Sequence, residues 1–114
     1  MDPVPFEEWS KIELRTAKVL EAAPHPGADR LYLLKVDGGP GADGIREERQ
    51  IVAGIRKHYT PEDLVGRTII VVWNLAPARI RGEESRGMLL AVQDGDNVSI
   101  LRPDREVSPG RRVS

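Results

Sequence analysis

The chain of 114 residues contains no cysteine. Disulfides, thiolate nucleophiles and Cys-ligated zinc are therefore excluded. Aromatic residues are scarce: Phe6, Trp9, Tyr32, Tyr59 and Trp73 are the full set. Binders of single-stranded nucleic acid that tolerate any sequence stack bases on aromatic platforms, and this chain has few to commit to that task. No apolar run approaches the roughly 20 residues of a membrane span. The longest, TIIVVW at Thr68–Trp73, has strand length. The acidic stretch MDPVPFEEW lacks the basic-then-apolar layout of a signal peptide. A cytoplasmic protein with no membrane partner is the expectation.

The constellations of catalysis are also missing. A catalyst needs a nucleophile with its base, a metal, or a tuned acid pair. Histidine is limited to His25, in a Pro-rich loop, and His58, in a helical turn, neither at metal-ligand spacing. Both are expected to be exposed or half-buried bystanders. Ser85 lacks the Gly-x-Ser-x-Gly context of a nucleophile elbow. No P-loop or Gly-x-Gly-x-x-Gly segment occurs, and GGPGADG, Gly38–Gly44, reads as a long mobile turn. These absences point to a binding module rather than an enzyme, with no cofactor and no metal.

What is present is a single domain, 1–114, with 39% hydrophobic and 31% charged residues. Net charge is −1, unevenly placed. Residues 1–13 are acidic, whereas 45–58 and 101–114 each carry a local +2. Pro5, Glu7 and Glu8 suit the start of a short helix, with Phe6 and Trp9 on one face. Strands are expected at Glu13–Ala23, Arg30–Asp37, Arg46–Gly54, Arg67–Leu75 and Gly87–Asp94, with a shorter one in Gly95–Leu101. Thr60, Pro61 and Asp63 predict a second short helix between the third and fourth strands. Five strands with a helix after the third predict an all-β, five-stranded OB-fold barrel with short helices and a C-terminal extension.

OB barrels bind oligonucleotides with one face and its adjoining loops, including the loop between the fourth and fifth strands. Here that loop is NLAPARIRGEESRGMLLA, Asn74–Ala91. Arg79, Arg81 and Arg86 suit bidentate phosphate contacts, Asn74 and Ser85 offer hydrogen bonds, and Met88 supplies a flexible apolar rim. Asn74 equally suits a turn that bonds its own backbone, and Met88 equally suits the core. Charge and placement add Arg15, Arg49 and Lys57 as candidates. With so few aromatics, RNA would be read by backbone and shape.

The words ADRLYLLKVD, RQIVAGI and YTPEDLVGRTIIVVWNLAPARIRGEESRGMLLA, in that order, resemble the tRNA-binding domain family over about Phe6–Val92. The family occurs as stand-alone proteins and as the C-terminal domain or β subunit of methionyl-tRNA synthetases. The resemblance implies an OB-fold core, structure-dependent tRNA binding, dimeric stand-alone members and, as a further partner, a methionyl-tRNA synthetase catalytic subunit. It carries tRNA-contact roles onto Asn74, Arg79, Ser85 and Met88. This chain departs from the family pattern at Ala53, where a Ser is usual, at Ala76, where Lys is common, and at Arg86, where Glu is usual. A related branch of chaperone-like dimers, which bind unfolded or export-destined peptides, shares the fold. Its third strand carries a different word, so the tRNA-binding branch is the nearer. A homodimer is expected, with Phe6, Trp9 and the 98–114 tail at or near its interface. Arg79→Glu and Ser85→Leu are expected to weaken tRNA binding without unfolding the protein.

Overall fold

A computed structural model describes residues 1–114. Strand β1 (Leu14–Pro24) is its spine. The first half of β1, Leu14–Lys18, pairs with β4 (Thr68–Val72), and the second half, Lys18–Pro24, pairs with β2 (Tyr32–Pro40). One strand serves two edges in this way by curling, and the register shifts between Val19 and Glu21 as at a bulge. β3 (Arg46–Ala53) follows β2, and β7 (Met88–Leu89) follows β4, giving the order β3-β2-β1-β4-β7. All pairings are antiparallel. The sheet closes on itself where Arg86 N–H donates to Gln50 O at 3.0 Å. This is an all-β, OB-like barrel.

Inward residues of every long strand fill it: Ala17, Val19, Leu34, Val36, Ile51, Ile69 and Val71 are all fully buried. Leu64, on helix α2 (Pro61–Leu64) and after α1 (Phe6–Trp9) in chain order, plugs one end. α2 starts with a capping box in which Thr60 Oγ1 accepts from Asp63 N–H and Asp63 Oδ2 accepts from Thr60 N–H. α1 buries none of its residues fully, and Phe6 and Trp9 remain exposed.

Three sequence expectations need correction. The fifth strand is broken. After β7, Leu90 N–H still donates to Ile70 O, but Ile70 N–H turns to Leu101 O, and the chain leaves the barrel as a hairpin of β8 (Ala91–Asp94) and β9 (Asn97–Ile100). The loop before it holds its own hairpin, β5 (Ala78–Ile80) and β6 (Glu83–Ser85). The expected mobile turn at Gly38–Gly44 is half structural. Gly38 and Gly39 are buried in β2, and a Cβ on Gly38 would stand 2.1 Å from Trp73 Cη2. Gly39 (φ +78°) abuts Gly110 (φ +87°), a contact between two backbones that only glycines permit.

That glycine contact brings in the tail. Buried Thr16 grips it, its Oγ1 donating to Ser108 O at 2.9 Å and accepting from Arg111 N–H at 2.9 Å. Gly110 N–H donates to Thr16 O at 2.7 Å, and β10 (Arg112–Val113) pairs with Leu14 and Arg15. The end of the tail is thus occupied by its own barrel.

Candidate nucleic-acid interface

Hairpin β5–β6 pairs Arg79 with Glu84 and Ile80 with Glu83. Its turn residues, Arg81 (φ 54°) and Gly82 (φ 89°), both lie in the left-handed region. That is the requirement of a type I′ turn. Arg81 is the one non-glycine residue of the chain with positive φ. A long side chain held in a disfavoured backbone conformation is a mark of functional sites.

The hairpin is locked onto the loop between β1 and β2. His25 is buried, accepts from Gly27 N–H through Nδ1 at 2.9 Å, and so donates through Nε2 to Ile80 O at 3.1 Å. Arg81 Nη2 donates to Gly27 O at 3.1 Å, and Arg56 Nη1 reaches Ala28 O at 3.3 Å from the turn beyond β3. His25 is therefore a structural pin rather than the exposed or half-buried residue its Pro-rich loop suggested. Pro24 and Pro26 hold the loop while the imidazole turns inward.

Around these locks the cations stay free. Arg79, Arg81, Arg86 and Lys57 are exposed, and none forms an ion pair. Arg79 Nη1 touches only the Gly82 carbonyl, at 3.1 Å. Arg30, in the β1–β2 loop, is exposed and equally unpaired; with Arg56 it joins the rim. Sequence reading missed both, although Arg30 lies in the family word ADRLYLLKVD. Met88 is about half exposed, at the rim and not in the core.

The other four candidates are tied into the protein by their own contacts, Ser85 buried, Arg15 and Arg49 half-buried and Asn74 exposed. Ser85 is buried. Its Oγ accepts from Val52 N–H at 3.0 Å and donates to Gly87 O at 2.9 Å, replacing a strand-to-strand bond where the barrel closes. A leucine there would be forced into the seam, so Ser85→Leu is not the clean surface change expected from sequence. Asn74 ties the segment after β4 to the one before β1, its Oδ1 accepting from Glu13 N–H at 2.8 Å and its Nδ2 donating to Lys11 O. It bonds a distant strand start rather than its own backbone. Arg15 and Arg49 both lie over the buried Trp73 indole, with guanidinium carbons 4.8 and 4.0 Å from the ring centroid. Arg15 also donates to Gly38 O and Glu13, and Arg49 to Trp73 O and Glu47. Their charges are neutralised locally. They fix Trp73, and Trp73 fixes the root of the loop that begins at Asn74.

No helix is long and apolar enough to cross a membrane. The family model described as "Putative tRNA binding domain" matches residues 14–112. Methionine–tRNA ligase of Thermococcus kodakarensis is 48% identical over 113 residues, which is 99% of this chain and 14% of the ligase. This chain thus spans about a seventh of that relative. Among solved structures, the MetRS related protein from Pyrococcus horikoshii superposes with a TM-score of 0.87 at 33% identity, covering 100% of both chains. Chaperone CsaA of Bacillus anthracis superposes with a TM-score of 0.82 at 32% identity, covering 99% of this chain and 100% of its own. The chain belongs to the tRNA-binding domain family.

Proposed function

We propose that this domain binds folded tRNA through its phosphate backbone and shape, without catalysing a reaction. It would do so alone or beside a methionyl-tRNA synthetase catalytic subunit in the cytoplasm. The observation that carries this reading is the anchored β5–β6 hairpin. It presents Arg79 and Arg81, with Arg86 beside it, as unpaired guanidinium groups on a fixed frame. Fixed donors lose little entropy on binding, and guanidinium groups match phosphate oxygens. Arg30 and Lys57 extend the rim, and Met88 offers an apolar contact to a base or sugar. In this reading Asn74, Ser85, Arg15 and Arg49 shape the rim from beneath. The likeness to methionine–tRNA ligases supports the choice of RNA and of synthetase.

A homodimer is part of the proposal. Phe6 is 77%, Trp9 41% and Ile12 42% exposed, an apolar stripe that a second copy would cover. The acidic N-terminal segment then lies at the subunit contact, away from RNA.

Gel shifts with tRNA, single-stranded RNA and duplex DNA of equal length, at several salt concentrations, test the reading. Preference for tRNA with affinity falling as salt rises is the expected result. No binding to any of them at low salt refutes it and leaves the peptide-binding activity of chaperone-like relatives as the reading to test.

A further inference from the structure

A wide groove lies outside the hairpin and shares no lining residue with it. It is a groove of about 1060 Å³ between residues 102–109 and the outer face of β1 and β4. One end of this arch is held at Leu101, which bonds Leu90 and Ile70, and the other at Ser108–Arg111, gripped by Thr16. Between the two anchors, residues 102–107 make no hydrogen bond to the barrel. The arch is therefore pinned at its ends and open beneath.

Cations converge on that opening from both sides. Lys18 and Arg67 line it on the barrel side, Arg67 with its Nε donating to Asp63 O, and Arg102 and Arg105 line it from the arch. None of the four is in an ion pair, although Asp104 and Glu106 lie in the same arch, also unpaired. The groove carries a net +2 in a chain whose net charge is −1. Its walls are polar, with Val107 as the one large apolar side chain, which argues against an apolar peptide or a subunit contact.

We propose that this groove is a second RNA contact, which follows a stretch of phosphodiester backbone of the same RNA that the hairpin rim holds. The proposal rests on the tRNA-binding reading. It adds a separate patch, so that one RNA is gripped at two places and effective concentration raises the affinity of each.

The test is the double variant Arg102→Ala with Arg105→Ala in the full chain. Both side chains are exposed and bond nothing, so the fold is expected to stand. tRNA affinity should fall by roughly tenfold or more at 0.1 M salt, and the slope of log K against log salt should become shallower by about 1.4–1.8. The reverse variant, Asp104→Asn with Glu106→Gln, should tighten binding. Wild-type binding with both variants unchanged in affinity and slope overturns the groove while leaving the hairpin reading intact. Failure of the wild-type protein to bind tRNA removes both. A change of oligomeric mass in the arginine variant, with unchanged tRNA affinity, shows a contact between copies and likewise overturns the proposal.

Discussion

Ser85→Ala separates a direct RNA contact from an architectural one. The Ser85 hydroxyl serves the backbone twice, accepting from Val52 N–H and donating to Gly87 O. Val52 is 5% exposed, so water cannot replace the lost acceptor. An unsatisfied buried donor costs about 1–3 kcal/mol, and the orphaned Gly87 carbonyl raises the expected loss to about 2–3 kcal/mol. At about 4 °C per kcal/mol for a domain of this length, the midpoint of thermal unfolding falls by roughly 8–12 °C. The rim arginines are untouched, so tRNA affinity at 25 °C should stay within about threefold as long as most of the protein remains folded. Differential scanning calorimetry and a filter-binding titration on the same preparation give both numbers. An unchanged midpoint refutes the closure role assigned to the hydroxyl. An unchanged midpoint with a tenfold loss of affinity shows that Ser85 meets the RNA directly.

Other consequences follow from the same contacts. Arg79→Ala should weaken tRNA binding about five- to tenfold at 0.1 M salt, the share of one phosphate contact, with no change in thermal midpoint; equal affinity removes Arg79 from the rim. Arg81→Gly relieves the left-handed strain but removes the bond to Gly27 O, so the thermal midpoint should change little while tRNA binding weakens, read by the same pair of assays. Gly38→Ala forces a methyl into the Trp73 indole and should cost about 1–3 kcal/mol in chemical denaturation; an unchanged midpoint would mean that the indole is free to move. Asp63 titrates below its ordinary 3.8, chiefly because Thr60 N–H donates to it, then because of the Thr60 side chain, with Arg67 adding attraction against slight desolvation. A carboxyl lowered in the folded state stabilises above its unfolded value, and that stabilisation is lost as pH falls through the folded one. Asp63→Asn should therefore lower the midpoint near neutral pH, with the gap to wild type closing under acid; a gap independent of pH refutes the cap's dependence on charge.

The barrel was readable because its signals are local. Alternating apolar residues mark β1 to β4, and Thr60, Pro61 and Asp63 spell out the α2 cap. The rest depended on partners far away in the chain. Nothing near Gly38 and Gly39 announces that Trp73 and Gly110 will pack against them, so a turn-like composition hid a packing site. Ser85 and Asn74 stand in a loop full of arginines, and only the fold shows that their hydrogen bonds go to Val52, Glu13 and Lys11. The broken fifth strand has the same origin, because Leu101 accepts from Ile70 N–H and donates to Leu90 O, in place of the bond from Ile70 N–H to Leu90 O that continued pairing would have made.

The arginines carry the functional argument furthest. Sequence alone treats them as one population, and the structure divides them by what surrounds each guanidinium. Arg15 and Arg49 face an indole and carboxylates and have no charge left to offer. Arg56 and Arg81 lock loops together, yet Arg81 remains exposed at the hairpin tip. Arg79, Arg86, Arg30, Arg102 and Arg105 have no carboxylate within ion-pair range although Glu83, Glu84, Asp104 and Glu106 are their chain neighbours. Nearby acids left unpaired lower the net field without engaging the guanidinium groups, so a polyanion meets free donors in a weak background potential. Such a surface favours partners whose phosphates are spaced to match it over those attracted by charge alone. That electrostatic form suits the proposed binding of tRNA by shape, in which fixed donors rather than bulk charge select the partner.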